Sequence, residues 1–169
     1  MDLNPIIAVM AKPQQNGRIF GGTYTDIYTY PFMANPSWYW GGNFHPGAGG
    51  TLISPTAVPG VGVPRSQELK HVDVRVVNHA LCKQRYDELR VQPGFQGVLP
   101  VYPGNLCTGL LDIGGQDFCT WDWGGPVVHQ RDILIGVIGW NVICGHPFYP
   151  GVNTDLRLKG LKTRAGQGQ

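Results

Sequence analysis

The sequence predicts an all-β fold, and three observations carry the prediction. It holds 25 glycines and 14 prolines, a turn-rich composition that suits short strands joined by many loops. His71-Val72-Asp73-Val74-Arg75-Val76 places Val at every second residue, the period of a half-buried strand. Ile133-Leu134-Ile135-Gly136-Val137-Ile138-Gly139-Trp140 is continuously apolar, as a strand buried on both faces would be. Five Trp, seven Tyr and six Phe count against disorder as the source of so much Gly and Pro.

Within 169 residues, about one domain's length, the elements follow in order. Residues 1–18 read as an irregular, propeptide-like leader. Ile6-Ile7-Ala8-Val9-Met10-Ala11 is apolar but short for a signal-peptide core, and Asp2 stands where a positive charge belongs, so no cleavable signal is expected. Short apolar runs then lead through Trp38-Tyr39-Trp40, expected to be packing residues, to a strand-like Thr51-Leu52-Ile53-Ser54. Residues 55–68 are linker-like, with Pro and Gly and no period. Asn78–Leu89 predicts one helix, with Asn78 as its cap. Residues 157–169 form a basic, flexible tail in which Arg157, Lys159, Lys162 and Arg164 read as solvated charges, without the interleaved aromatics of a nucleic-acid surface.

A net charge of +2 specifies no partner, and only 14% of residues are charged against a usual share of about a quarter. No apolar run approaches the length of a membrane span, so neither nucleic acid nor membrane is expected as a partner. Cys82, Cys107, Cys119 and Cys144 contain no Cys-x-x-Cys pair, and an even count fits two disulfides better than a zinc site. His45, His71, His79, His129 and His146 are scattered without metal-ligand spacing. Neither metal nor cofactor is expected.

Cys119-Thr120-Trp121-Asp122-Trp123-Gly124-Gly125-Pro126 resembles the C-x-G-D-S-G-G-P nucleophile loop of the trypsin-like serine peptidases, above all the insect digestive trypsins. Its surroundings match in order. Arg18-Ile19-Phe20-Gly21-Gly22 resembles the activation-cleavage site, and Gly49–Ser54 the strand before the catalytic His. Asn105-Leu106-Cys107 is similar to a second-barrel strand. Gly139-Trp140 with Cys144, followed by Tyr149-Pro150-Gly151-Val152, resembles the substrate-binding strand and pocket wall. The resemblance implies a partial version of the family's double antiparallel β-barrel over residues 19–156, with the first barrel largely missing, the second incomplete, and residues 59–68 a linker at the deletion. It also implies the bridges Cys82–Cys107 and Cys119–Cys144, and a secreted, extracellular location.

The departures weigh as much as the matches. The family's mechanism needs a Ser nucleophile, a His base and an orienting Asp. Trp123 stands at the Ser position, and Trp121 at the Gly whose N–H completes the oxyanion hole. After Leu52-Ile53-Ser54 no T-A-A-H-C segment follows, and the D-I-A-L segment is absent. Ala48 replaces a Cys whose partner segment is also gone. Ser37, Ser54 and Ser66 lie outside any nucleophile-elbow context. No catalytic residue is therefore assigned. What the resemblance leaves is a pocket remnant, Asp117 at its base with Gly151 and Trp140 on its wall, and an activation remnant, Arg18, Ile19 and Asp122. Phe118, Asn141 and Ile143 narrow that pocket. The expectation is a non-catalytic homologue that binds another protease or a protease inhibitor, its oligomeric state open. The competing expectation is a fragmentary product of a secreted trypsin-like endopeptidase.

Overall fold

The computed structural model describes residues 6–11, 19–30, 32–34, 37–46, 49–51, 69–120, 122–130, 132–157 and 163–164. Arg18, Ala48, Trp121, Leu52–Ser54, the 59–68 linker, Ser66, Lys159 and Lys162 lie outside them. Among the described residues, twelve strands, one α-helix and one 3-10 turn make the structure mostly β, in antiparallel sheets, consistent with a partial trypsin-like fold.

The main sheet is built from β1 (Ile6–Ala11), β2 (Thr23–Thr25), β7 (Leu69–Val76), β8 (Asn105–Gly109), β9 (Pro126–His129), β10 (Ile133–Trp140), β11 (Gly151–Asp155) and β12 (Thr163–Arg164). Hydrogen-bonded neighbours run from β7 through β8, β11, β10, β9 and β1 back to β7. The circuit is uneven, because β7 and β8 share only Arg75↔Gly109 and Val76↔Thr108. The remaining described strands form two smaller sheets. β3 (Met33–Ala34) pairs with β6 (Gly50–Thr51), and β4 (Ser37–Trp40) pairs with β5 (Asn43–Pro46). The β4–β5 hairpin turns on Gly41 and Gly42, at φ +60° and +80°, the two positive values that a type I′ turn demands.

The predicted strand at 71–76 is β7. Val72 and Val74 are buried and Asp73 and Arg75 exposed, as alternation requires, but Val76 is 42% exposed. Burial passes instead to Val77, which leaves the strand and donates its N–H to the Cys107 carbonyl at 2.9 Å. That handover delivers the chain to α1 (His79–Arg90), where the Asn78 side chain accepts from the Leu81 N–H at 3.1 Å. Cys82, Arg85, Tyr86 and Leu89 form the helix's buried face at three- and four-residue spacing. Both cysteine pairs named above are bridged, Cys82–Cys107 fastening α1 to β8 and Cys119–Cys144 joining two loops. Closing a loop of 25 residues stabilises by roughly 3 kcal/mol in the chain-entropy picture.

Three stretches differ from their sequence reading. Ile6–Ala11, taken as part of an irregular leader, is a six-residue strand between β7 and β9. Thr163–Arg164, within the stretch taken as a flexible tail, pairs with Ile133 and Leu134 of β10. Trp40, taken as a packing residue, is 75% exposed at the hairpin turn. Trp140 does pack, edge-on to Tyr86 with ring centroids 4.9 Å apart.

Candidate functional site

The site lies in the loop between β8 and β9, and the loop is positioned from both ends. Asp117 exchanges two backbone hydrogen bonds with Phe20, at 2.8 and 3.1 Å. The Cys119–Cys144 bridge ties the loop to residues 141–147. At the far end the Gly124 N–H donates to the Ile138 carbonyl at 2.9 Å, and the Thr51 hydroxyl donates to the Gly124 carbonyl at 3.1 Å. Gly124 has φ +83°, and a Cβ there would stand 2.4 Å from the Gly49 carbonyl oxygen, so only glycine lets the two loops approach this closely.

Asp122 is fully buried in this loop. Its Oδ2 accepts the backbone N–H of Ile19 at 2.8 Å and that of Cys119 at 2.7 Å. Ile19 is itself buried and has φ +23°, an unusual backbone for a β-branched residue. The carboxylate thus holds Ile19 in a conformation that isoleucine alone would not choose, and brings two parts of the chain 103 residues apart into one site.

Asp117 is also buried, five residues before Asp122. Its Oδ1 accepts the Phe118 N–H at 2.9 Å, while its Oδ2 accepts the Asn141 amide at 3.1 Å and the Gly145 N–H at 3.3 Å. The same Asn141 nitrogen also donates to the Phe118 carbonyl at 2.8 Å. A Cβ built on Gly151 would lie 3.0 Å from Asp117 Oδ1 and 2.3 Å from the Phe118 ring. Asn141 thus bonds to both Asp117 and Phe118, and both of these lie against Gly151. Sequence reasoning named all four, but missed that Asn141 would cap the carboxylate. Ile143 is exposed, and Trp140 packs edge-on to Tyr86.

Burial pushes the Asp117 carboxyl up to about 7, against hydrogen bonds from Asn141, Gly145 and Phe118 that favour the charged form. An acid raised from its ordinary 3.8 holds a proton in the folded state that the unfolded chain has already released. Its contribution to stability therefore declines as pH rises from about 4 to about 7, and the whole penalty is present above that. Urea midpoints in this window should fall with pH for the wild type, and fall less for Asp117→Asn. An identical slope in the two proteins would contradict a buried, protonated Asp117.

Two further features escaped the sequence reading. Arg85 is buried, its guanidinium 4.0 Å from the Phe148 ring centroid and donating to the Phe148 carbonyl at 2.8 Å. The Tyr86 hydroxyl donates to the Pro150 carbonyl at 2.6 Å, and burial raises its pKa. Together they fix the loop leading into Gly151. Among the described residues no group of His, Cys, Asp and Glu could hold a metal ion. Nor does any described helix have the length and apolarity to cross a membrane.

The antiparallel β fold, the two disulfides and the buried Asp117 and Asp122 on either side of Cys119 are consistent with a partial fold of the trypsin-like class of serine peptidases. The family model described as Trypsin matches residues 55–159, more than half of the chain, and the chain belongs to that family. It is similar to "Trypsin, alkaline A" of Manduca sexta, 39% identical over 95 residues, which are 56% of this chain and 34% of that protein. It is 36% identical to "Trypsin CFT-1" of Choristoneura fumiferana over the same shares of each chain. Its likeness to "Serine protease 41" of Homo sapiens is 32% over 110 residues, 63% of this chain and 31% of that protein. The matched region spans about a third of the length of these curated relatives.

Proposed function

We propose that this chain is a non-catalytic member of the trypsin family that acts outside the cell by binding, with another protease or a protease inhibitor as its partner. One observation carries the reading. In the segment Cys119–Pro126, Trp123 stands where the family motif has its nucleophile, and an indole offers no nucleophilic oxygen. Trp123 is 41% exposed, so the same position presents apolar surface to an incoming protein. Asp117 supports the reading from the other side. A carboxyl that is buried and already capped by the Asn141 amide and the Gly145 N–H is poorly suited to capture a Lys or Arg side chain. The extracellular setting rests on family membership and on the two disulfides.

A second reading is that the proteolytic role belongs to a longer trypsin-like endopeptidase of which this chain is a fragment; the short span of each relative that it matches favours this. A cooperative unfolding transition of the recombinant chain supports the binding role, and its absence supports the fragment.

The catalytic question is tested with arginine and lysine ester substrates. Neither the wild type nor Trp123→Ser should turn them over above the buffer rate, because restoring a hydroxyl without its base leaves little of the machinery. Turnover that a serine-directed reagent blocks would overturn the proposal.

A further inference from the structure

Ile6–Ala11 lies outside the residues that match the family model, 55–159, yet it supplies a strand to a sheet built mostly from them. All six of its residues pair with β7, from Ile6↔Val74 to Ala11↔Leu69, and Ile6, Ile7 and Ala8 pair with β9 as well. The two strands that it joins are core strands: Val72 and Val74 of β7, and Val127 and Val128 of β9, are all buried. Ala8 takes the register position opposite both Val72 and Val127. The segment contains no charge, no proline and no glycine.

Without β1, the facing edges of β7 and β9 would each present unpaired backbone N–H and C=O groups beside buried valines. Such an edge invites another strand. Addition of an extended peptide to an open edge draws its affinity from main-chain hydrogen bonds and its selectivity from alternate side chains. We propose that the gap between β7 and β9 is an acceptor site for an extended, uncharged, apolar hexapeptide, and that Ile6–Ala11 is its intramolecular occupant. The site is independent of the pocket remnant around Asp117, and of whether the chain binds a protease.

The register makes the proposal testable in the full chain. In Ala8→Cys/Val72→Cys the two new thiols are on directly paired residues, a separation that a disulfide spans. Peptide mapping without reduction should find one added bridge within a monomer. Two free added thiols, or a bridge only between two copies, would overturn cis occupancy. The second variant, Ala8→Pro, removes a backbone N–H from the middle of the strand and should vacate the site. A fluorescent synthetic peptide spanning residues 4–12 should then bind Ala8→Pro saturably. It should bind the wild type more than about tenfold more weakly, because a tethered occupant competes at an effective concentration on the order of millimolar. Equal binding to both proteins, or saturable binding to neither, would overturn the acceptor site. If Ala8→Pro does not fold, the cysteine pair still decides cis occupancy, and the same peptide titration on Val9→Asp, which places a charge in the middle of the occupant, decides the acceptor site by the same two outcomes.

Discussion

Asp122→Ala is expected to destabilise the folded chain by about 3 kcal/mol, read as a lower urea midpoint at unchanged slope. The carboxylate is fully buried and takes two backbone donors, Ile19 at 2.8 Å and Cys119 at 2.7 Å. A hydrogen bond to a charged group contributes about 1.5–3 kcal/mol, and truncation leaves its partners desolvated with no acceptor. Ile19 adds to the effect, since its positive φ is retained only while the surroundings hold it. Asp122→Asn keeps an acceptor oxygen of the same reach and loses the charge, so roughly half the effect should remain. A loss below about 0.5 kcal/mol for the alanine variant would be what an ordinary surface change gives. It would mean that Asp122 does not anchor the chain at Ile19.

The second large effect is expected at Gly151. A Cβ there would meet the Phe118 ring at 2.3 and 2.6 Å, well inside contact distance. Phe118 belongs to the main core cluster and has little room to withdraw. Gly151→Ala should therefore cost about 1–3 kcal/mol, the range for overpacking a filled interior. The cause can be isolated by a double-mutant cycle with Phe118→Leu, which trims the ring that Cβ would strike. The penalty for Gly151→Ala should shrink by more than about 1 kcal/mol in that background, as residues in direct contact are coupled. Additive effects within about 0.5 kcal/mol would show that Phe118 does not fill the space beside Gly151.

What was legible in the sequence depended on how local its cause was. β7, β10 and α1 could be read because their patterns have a period, and Asn78 could be named as a cap because its partner Leu81 is three residues away. The change of burial from Val76 to Val77 could not, since it follows from the chain leaving β7 to meet Cys107. β1 was hidden for the same kind of reason. Six apolar residues can serve as a leader or a strand, and the choice rests on β7 and β9, more than 50 residues away. At the site, the resemblance of the loop to the family's nucleophile motif identified Asp117, Phe118 and Asp122 by their places beside Cys119. The Asn141 amide on Asp117 was not legible, because it depends on a loop 24 residues downstream being folded back by the disulfide. Trp40 shows the limit of composition. An aromatic cluster suggests packing, but its place beside a two-glycine turn exposes it.

The central claim, that this member of the trypsin family carries no activated serine, is tested most directly by covalent labelling. The oxidised chain would be incubated with excess of a fluorophosphonate, which phosphonylates a serine only when a neighbouring base activates it, and its intact mass measured. The mass should be unchanged for the wild type and for Trp123→Ser. One adduct per chain on the native wild-type protein, lost when the protein is unfolded before labelling, would contradict it.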